Sequence, residues 1–188
     1  VREIQSMDDV LALHFIDEEK QVDIVDKVIV ATGGSPKKSG LKWLEDLGHK
    51  IEDPVPSLFT FNMPQEEVTQ LMGIVVLNAN VSIQGTKLKS KGPLLITHWG
   101  MSGPAILKLS AFGARILKEL DYTFKVQVNW VDEYNNEAVA KVLKQIIEEH
   151  PNKQISSIKP YALPERLWNY LLDKCALDPT KKWPELGK

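Results

Sequence analysis

Cysteine is all but missing from this chain of 188 residues, where Cys175 stands alone. Without a second thiol there is no internal disulfide and no cysteine-built metal site, a usage that fits a reducing compartment and gives a cytoplasmic expectation. His14, His49, His98 and His150 are scattered, with no two at a spacing that clasps a metal ion, so no metal site is expected. No apolar run is long enough to span a bilayer, and Val1-Arg2-Glu3-Ile4 carries neither an initiating Met nor a signal-peptide pattern. The start reads as cut from a longer chain, and no membrane partner is expected. An excess of positive charge is lacking too: a net charge of -2 provides no global basic field, which argues against nucleic acid as the main partner and leaves only local clusters open. The last absence is a Gly-x-Gly-x-x-Gly turn, the strand-to-helix junction that seats a dinucleotide pyrophosphate.

What is present is the composition of a folded protein. Hydrophobic residues make up 43% and charged residues 26%, enough for one sizeable core or two small ones. Three regions differ in texture. In 1–53, Val10 to Phe15 and Ile24 to Ala31 read as strands around the charged turn Asp17-Glu18-Glu19-Lys20, and Leu41, Leu44 and Leu47 mark a short helix ended by Gly48 in a left-handed cap. Region 54–131 is strand-rich, with Leu58 to Phe61, Ile74 to Leu77, Val81 to Gln84, Leu94 to His98 and Tyr122 to Val131 spaced like a small barrel or curled sheet. One helix interrupts it, from near Ser102 towards Leu120. Region 132–188 is helical: Ala138, Val139, Val142, Leu143, Ile146 and Ile147 form one apolar face ended by His150-Pro151, and Pro164 opens a second helix. A third, short turn is expected at Asp178-Pro179.

Two segments carry chemistry. Val28-Ile29-Val30-Ala31-Thr32-Gly33-Gly34 reads as a buried parallel-type strand opening into a turn whose missing β-carbons let a ligand or another strand approach. Leu94 to Pro104 reads as a strand that breaks into a glycine turn and then a helix. There Ser102, Gly103 and the following amides offer donors to a carboxylate or phosphate, or else Ser102 is a plain N-cap with glycines for a steric squeeze. His98 in that turn either faces a ligand or is a hydrogen-bonded structural residue. A serine nucleophile elbow is excluded, because Pro104 stands where the elbow wants glycine and only His150 follows. Lys37, Lys38 and Lys42 form a local basic cluster diluted by Glu45 and Asp46.

Taken in order, Ala31-Thr32-Gly33-Gly34, Gly48-His49-Lys50-Ile51, Pro54-Val55-Pro56-Ser57-Leu58 and Thr97-His98-Trp99-Gly100-Met101-Ser102-Gly103-Pro104 resemble the BaiN-like family of NAD(P)/FAD-dependent oxidoreductases. The resemblance implies an α+β chain: a strand-rich, barrel-like insert domain at 54–131 and a small helical domain at 132–188, beside the edge of an α/β flavin-binding domain at 1–53. It places Thr32, Gly33 and Gly34 at FAD and leaves Thr97, His98, Gly100, Ser102 and Gly103 as a turn facing a ligand. Ser35 to Gly40 is shorter than the family's usual loop. The implied parent transfers hydride between NAD(P)H or a small-molecule substrate and FAD, with the remainder of the flavin domain as partner. This chain alone is not expected to retain FAD, and its uncovered strand is expected to drive self-association. The alternative is a non-catalytic module that gates the flavin site or mediates self-association.

Overall fold

The computed structural model describes residues 1–17, 19, 21–131 and 135–186. The chain divides into two compact units, Val1–Val55 and Pro56–Lys188. The fold is α+β, with a curled half-barrel sheet and a few helices. Among the described residues no helix is long and apolar enough to cross a membrane.

In the first unit, β1 (Glu3–Met7), β2 (Val10–His14) and β3 (Asp23–Val25) form an antiparallel sheet in that order. The β1–β2 hairpin turns through Asp8-Asp9, with Asp8 at φ 48°, a conformation that a short polar side chain tolerates. Glu18 and Lys20 of the expected charged turn lie outside the described residues. The strand expected from Ile24 to Ala31 stops at Val25. Val28 to Ala31 has no ladder partner among the described residues, and Ile29 is 95% exposed. A parallel-type strand exists only through neighbours that take its N–H and C=O groups, and hydrophobicity alone does not supply them. A 3-10 turn at Lys38–Leu41 leads into α1 (Lys42–Asp46). Gly48, at φ 89°, closes it as expected, with its N–H donating to the Glu45 carbonyl at 2.8 Å and that of His49 to Leu44 at 3.0 Å. Ala12 is the one buried hydrophobic residue of this unit among the described residues.

In the second unit, β4 (Phe61–Asn62), β5 (Val75–Ile83), β6 (Lys89–Thr97), β7 (Gly100–Ser102) and β8 (Val126–Asn129) build an antiparallel sheet in the order β4-β7-β6-β5-β8. The strands expected at Ile74 to Leu77 and Val81 to Gln84 are one strand, β5, whose register against β6 shifts between Val76 and Ala79. Asn78-Ala79-Asn80 reads locally as a turn but is an irregularity that bends the strand, which helps the sheet to curl. The helix expected from Ser102 to Leu120 is two: α2 (Pro104–Phe112) and α3 (Ala114–Glu119). They part at Gly113, where a β-carbon would stand 2.6 Å from a Leu88 methyl carbon. Ala105, Ile106 and Leu109 of α2 are buried with Val81, Ile83, Leu94 and Ile96, so the sheet curls around this helix.

α4 (Asn136–Glu149) starts on Asn135, whose side chain accepts from the Ala138 N–H at 2.8 Å, and α5 (Glu165–Lys174) follows Pro164. Ile155, Leu172 and Trp183 form a second small core. Trp168 and Trp183 stack at 6.2 Å, and the Trp168 Nε1–H donates to the Ile155 carbonyl at 2.8 Å. α5 is tied to the barrel at the 3-10 turn Glu67–Leu71, where Arg166 donates to the Gln70 carbonyl at 2.6 Å and Lys174 pairs with Glu67 at 2.8 Å.

Candidate functional site

The turn expected between strand and helix is a β-hairpin. β6 reaches Thr97, reverses through His98-Trp99, and returns as β7, with Thr97 paired to Gly100 and Leu95 to Ser102. Three residues are too few to show alternation, which is why β7 escapes a sequence reading. Thr97 Oγ1 clamps the turn, donating to the Gly100 carbonyl and accepting from the Gly100 N–H, each at 3.2 Å. The Trp99 carbonyl accepts from the Met63 N–H at 2.6 Å, fixing the tip against the segment that follows β4. Both glycines are demanded by close backbone approach. A β-carbon at Gly100 would collide with the Phe61 carbonyl, and one at Gly103, where φ is 93°, would stand 2.8 Å from the Pro93 carbonyl oxygen.

Ser102 is not the helix cap. Gly103 occupies that position, and no side chain caps α2. The α2 N-terminus is packed rather than open: Ala105 and Ile106 are buried, and Gly92 passes close to the Ala105 nitrogen. The groups that the hairpin presents outward are His98, exposed and set edge-on to Trp99 at 4.1 Å, and Trp99 itself, 43% exposed. Thr97, Ser102 and Gly103 are half-buried beneath them, and Gly100 is buried.

A cavity of about 840 Å³ opens elsewhere in this unit, between the two edge strands β4 and β8. Among the described residues no ladder of hydrogen bonds closes the sheet there. Aromatic rings fill the gap instead: Phe61 meets Phe124 edge-on at 5.0 Å, and Phe59 meets Phe61 at 6.2 Å and Tyr122 at 5.9 Å. Ser110, fully buried on α2, anchors one wall, accepting from the Phe59 N–H at 3.0 Å and donating to the Leu107 carbonyl at 2.9 Å. Tyr170 lines the cavity from α5. Its phenol is pushed above the ordinary tyrosine value by burial, against the pull of Lys174, whose Nζ lies 5.7 Å from the ring centroid. The hydrogen bond from Lys174 holds Glu67 below the usual carboxylate range and reciprocally raises Lys174. This cavity was not foreseen in the sequence. Its signal is the recurrence of aromatics at every second position in Phe59, Phe61 and in Tyr122, Phe124, which marks two strand faces that meet.

In the first unit, Thr32 lines a separate cavity of about 430 Å³ with Val28 to Ala31, Trp43 and Asp46, whereas Gly33 and Gly34 do not border it. Gly33 has φ 78°, and nothing stands within 4 Å of where a β-carbon would lie on either glycine. The backbone there is open to close approach by another group. Among the described residues, no three His, Cys, Asp or Glu side chains are placed to hold a metal ion.

Two comparisons bear on these features. The chain is 28% identical over 151 residues to a ribosomal RNA dihydrouridine synthase from Escherichia coli (strain K12), an alignment covering 76% of this chain and 35% of that protein. The chain therefore spans about a third of the curated relative that it matches. Residues 55–188 match the model of the HI0933-like protein barrel and H2TH domain, so that the half-barrel, its enclosed helix and the helical segment after it are accounted for together. The chain belongs to the HI0933-like barrel and H2TH domain family, a family tied to flavin-dependent oxidoreductases.

Proposed function

We propose that this chain is the barrel and helical portion, with an edge of the flavin domain, of a BaiN-like FAD-dependent oxidoreductase whose whole protein reduces a uridine of ribosomal RNA at the expense of NAD(P)H. The observation that carries this reading is the alignment to the ribosomal RNA dihydrouridine synthase across 76% of the chain. It departs from the expectation of no nucleic-acid partner, which rested on net charge alone. In the balanced reaction, uridine, NAD(P)H and one proton give dihydrouridine and NAD(P)+, with hydride and proton saturating the C5–C6 bond. Bound FAD supplies the hydride relay. Thr32, Gly33 and Gly34 would hold one edge of it, where bare backbone admits a large planar ligand; His98, exposed at the hairpin tip, is proposed as a donor group acting on the substrate.

The exposed apolar surface of the first unit supports a covering partner. Val1, Ile24, Ile29 and Val30 are all exposed there, and the remainder of the flavin domain is the surface proposed to cover them. Lacking that cover and the pyrophosphate turn, the isolated chain is proposed to self-associate and to bind no FAD.

The test uses the full-length protein. An absorption spectrum establishes flavin, and incubation with NAD(P)H and unmodified ribosomal RNA, followed by nucleoside mass spectrometry, detects dihydrouridine. A flavin-loaded protein that oxidises NAD(P)H but leaves uridine unchanged in both naked and ribosome-assembled RNA would overturn the substrate. His98→Ala is expected to slow turnover with little change in melting temperature, since the side chain is exposed. Wild-type turnover would remove His98 from the site.

A further inference from the structure

Between Val75 and Lys118 the chain has 44 residues with no Asp or Glu, and it carries Lys87, Lys89, Lys91, Lys108, Arg115 and Lys118. The net charge of the whole conceals this. β-Pairing gathers part of it on one face. Ser82 on β5 stands opposite Lys89 on β6 and Gln127 on β8, and Asn80 stands opposite Lys91 and Asn129. Directly paired residues share a face, and the alternate residues Val81 and Ile83 are buried, so these rows point away from the core. Gln84 extends β5 by donating its N–H to the Lys125 carbonyl at 3.0 Å, and Lys87 lies in the turn just before the start of β6, so Lys87, Lys89 and Lys125 gather at one end of the sheet. All three are exposed, and none forms an ion pair among the described residues. Gln84 and Lys125 also line the aromatic cavity, so the lysine end of the sheet opens onto it.

Resting on the proposed RNA substrate, we infer that this face docks single-stranded RNA. Phosphates run along Lys87, Lys89 and Lys125, amides and hydroxyls of the adjoining rows take sugar and phosphate oxygens, and one unstacked base enters the cavity beside Tyr122 and Phe124. Within β6, Lys89 and Lys91 stand at alternate positions, about 6.6 Å apart, a spacing on the scale of successive phosphates in an extended strand. A row of cations beside aromatic rings is the arrangement that holds single strands without reading their sequence.

The test is fluorescence anisotropy of a labelled single-stranded oligoribonucleotide with the full-length protein, at several salt concentrations. Replacing Lys87, Lys89 and Lys125 together by Gln is expected to weaken binding about 50-fold near 0.15 M salt and to reduce the log–log salt slope by about 2, as for three lost phosphate contacts on a single strand. Melting temperature should be unchanged. Tyr122→Ala is expected to weaken binding about tenfold with the salt slope unchanged, because stacking releases no counterions. A triple variant that binds RNA with wild-type affinity and slope overturns the inference. So does a triple variant that loses affinity only for phosphatidylserine vesicles, which would make the face a membrane surface. If wild-type protein reduces ribosomal RNA and the triple variant keeps its kcat/KM and Kd, the docking face alone falls. If wild-type protein reduces no uridine, the proposed substrate falls, while the anisotropy series still decides the docking face.

Discussion

Ser110→Ala isolates one hydrogen bond that shapes the cavity wall. Ser110 is fully buried, and its Oγ takes the N–H of Phe59, a residue far off in sequence, at 3.0 Å. Deleting the hydroxyl leaves that N–H without its acceptor, at a cost of about 1–3 kcal/mol. Alanine is the better helix former, which offsets up to about 0.5 kcal/mol of the loss. The net expectation is a destabilisation of about 0.5–2.5 kcal/mol, or roughly 1–10 °C in Tm for a chain of this length. Urea unfolding followed by tryptophan fluorescence measures it, with Ser157→Ala as the control, since the Ser157 hydroxyl reaches only the Gln154 carbonyl on an exposed turn. Amide hydrogen exchange provides a separate readout. The Phe59 amide should lose protection in Ser110→Ala while the β5–β6 ladder keeps its own. Unaltered Phe59 protection, or a stability equal to that of the Ser157 control, would refute the assignment of Ser110 as the anchor of that wall.

Gly100→Ala should destabilise by about 1–3 kcal/mol through overpacking against the Phe61 carbonyl, and by more than Gly73→Ala, where φ is 90° but the space is open. Chemical denaturation of the two variants side by side checks the order. The Glu67–Lys174 pair gives a pH dependence with two arms. Glu67 is depressed, so its contribution is complete above the ordinary glutamate value and is lost as pH falls through the depressed one; Lys174 is raised, so its contribution is complete below the ordinary lysine value and is lost as pH rises through the raised one. Glu67→Gln should flatten the acid arm in urea midpoints measured against pH, and added salt should shrink both arms. Trp168→Phe should cost about 0.5–1.5 kcal/mol by removing the bond to the Ile155 carbonyl, detected as a lower denaturation midpoint.

What the sequence made legible follows from how local each signal is. α4 and α5 show themselves through apolar spacing, a proline at one boundary or the other, and polar neighbours, all within one or two turns of chain. Gly48 shows itself because a left-handed cap is a single-residue demand. β5 was hidden by an irregularity that mimics a turn, and Val28 to Ala31 misled because burial of a strand depends on neighbours that no local pattern records. The candidate site was legible only in part. Glycine and serine around the hairpin marked a tight place correctly, yet the glycines answer to Phe61 and Pro93, residues outside the motif. The aromatic cavity joins two segments far apart in sequence, so its pairing appears only once the sheet has curled.

The ring-filled gap between β4 and β8 bears on how this domain can diversify. A ladder of hydrogen bonds admits only discrete registers, whereas contacts between rings slide and tilt over ångströms at small cost. Substitutions at Phe59, Tyr122 and Phe124, which lie at the margin of the core, therefore retune the width and chemistry of the opening while β5, β6 and the helix inside them stay as they are. An unclosed seam gives descendants of one scaffold a place to acquire new ligands without relearning how to fold.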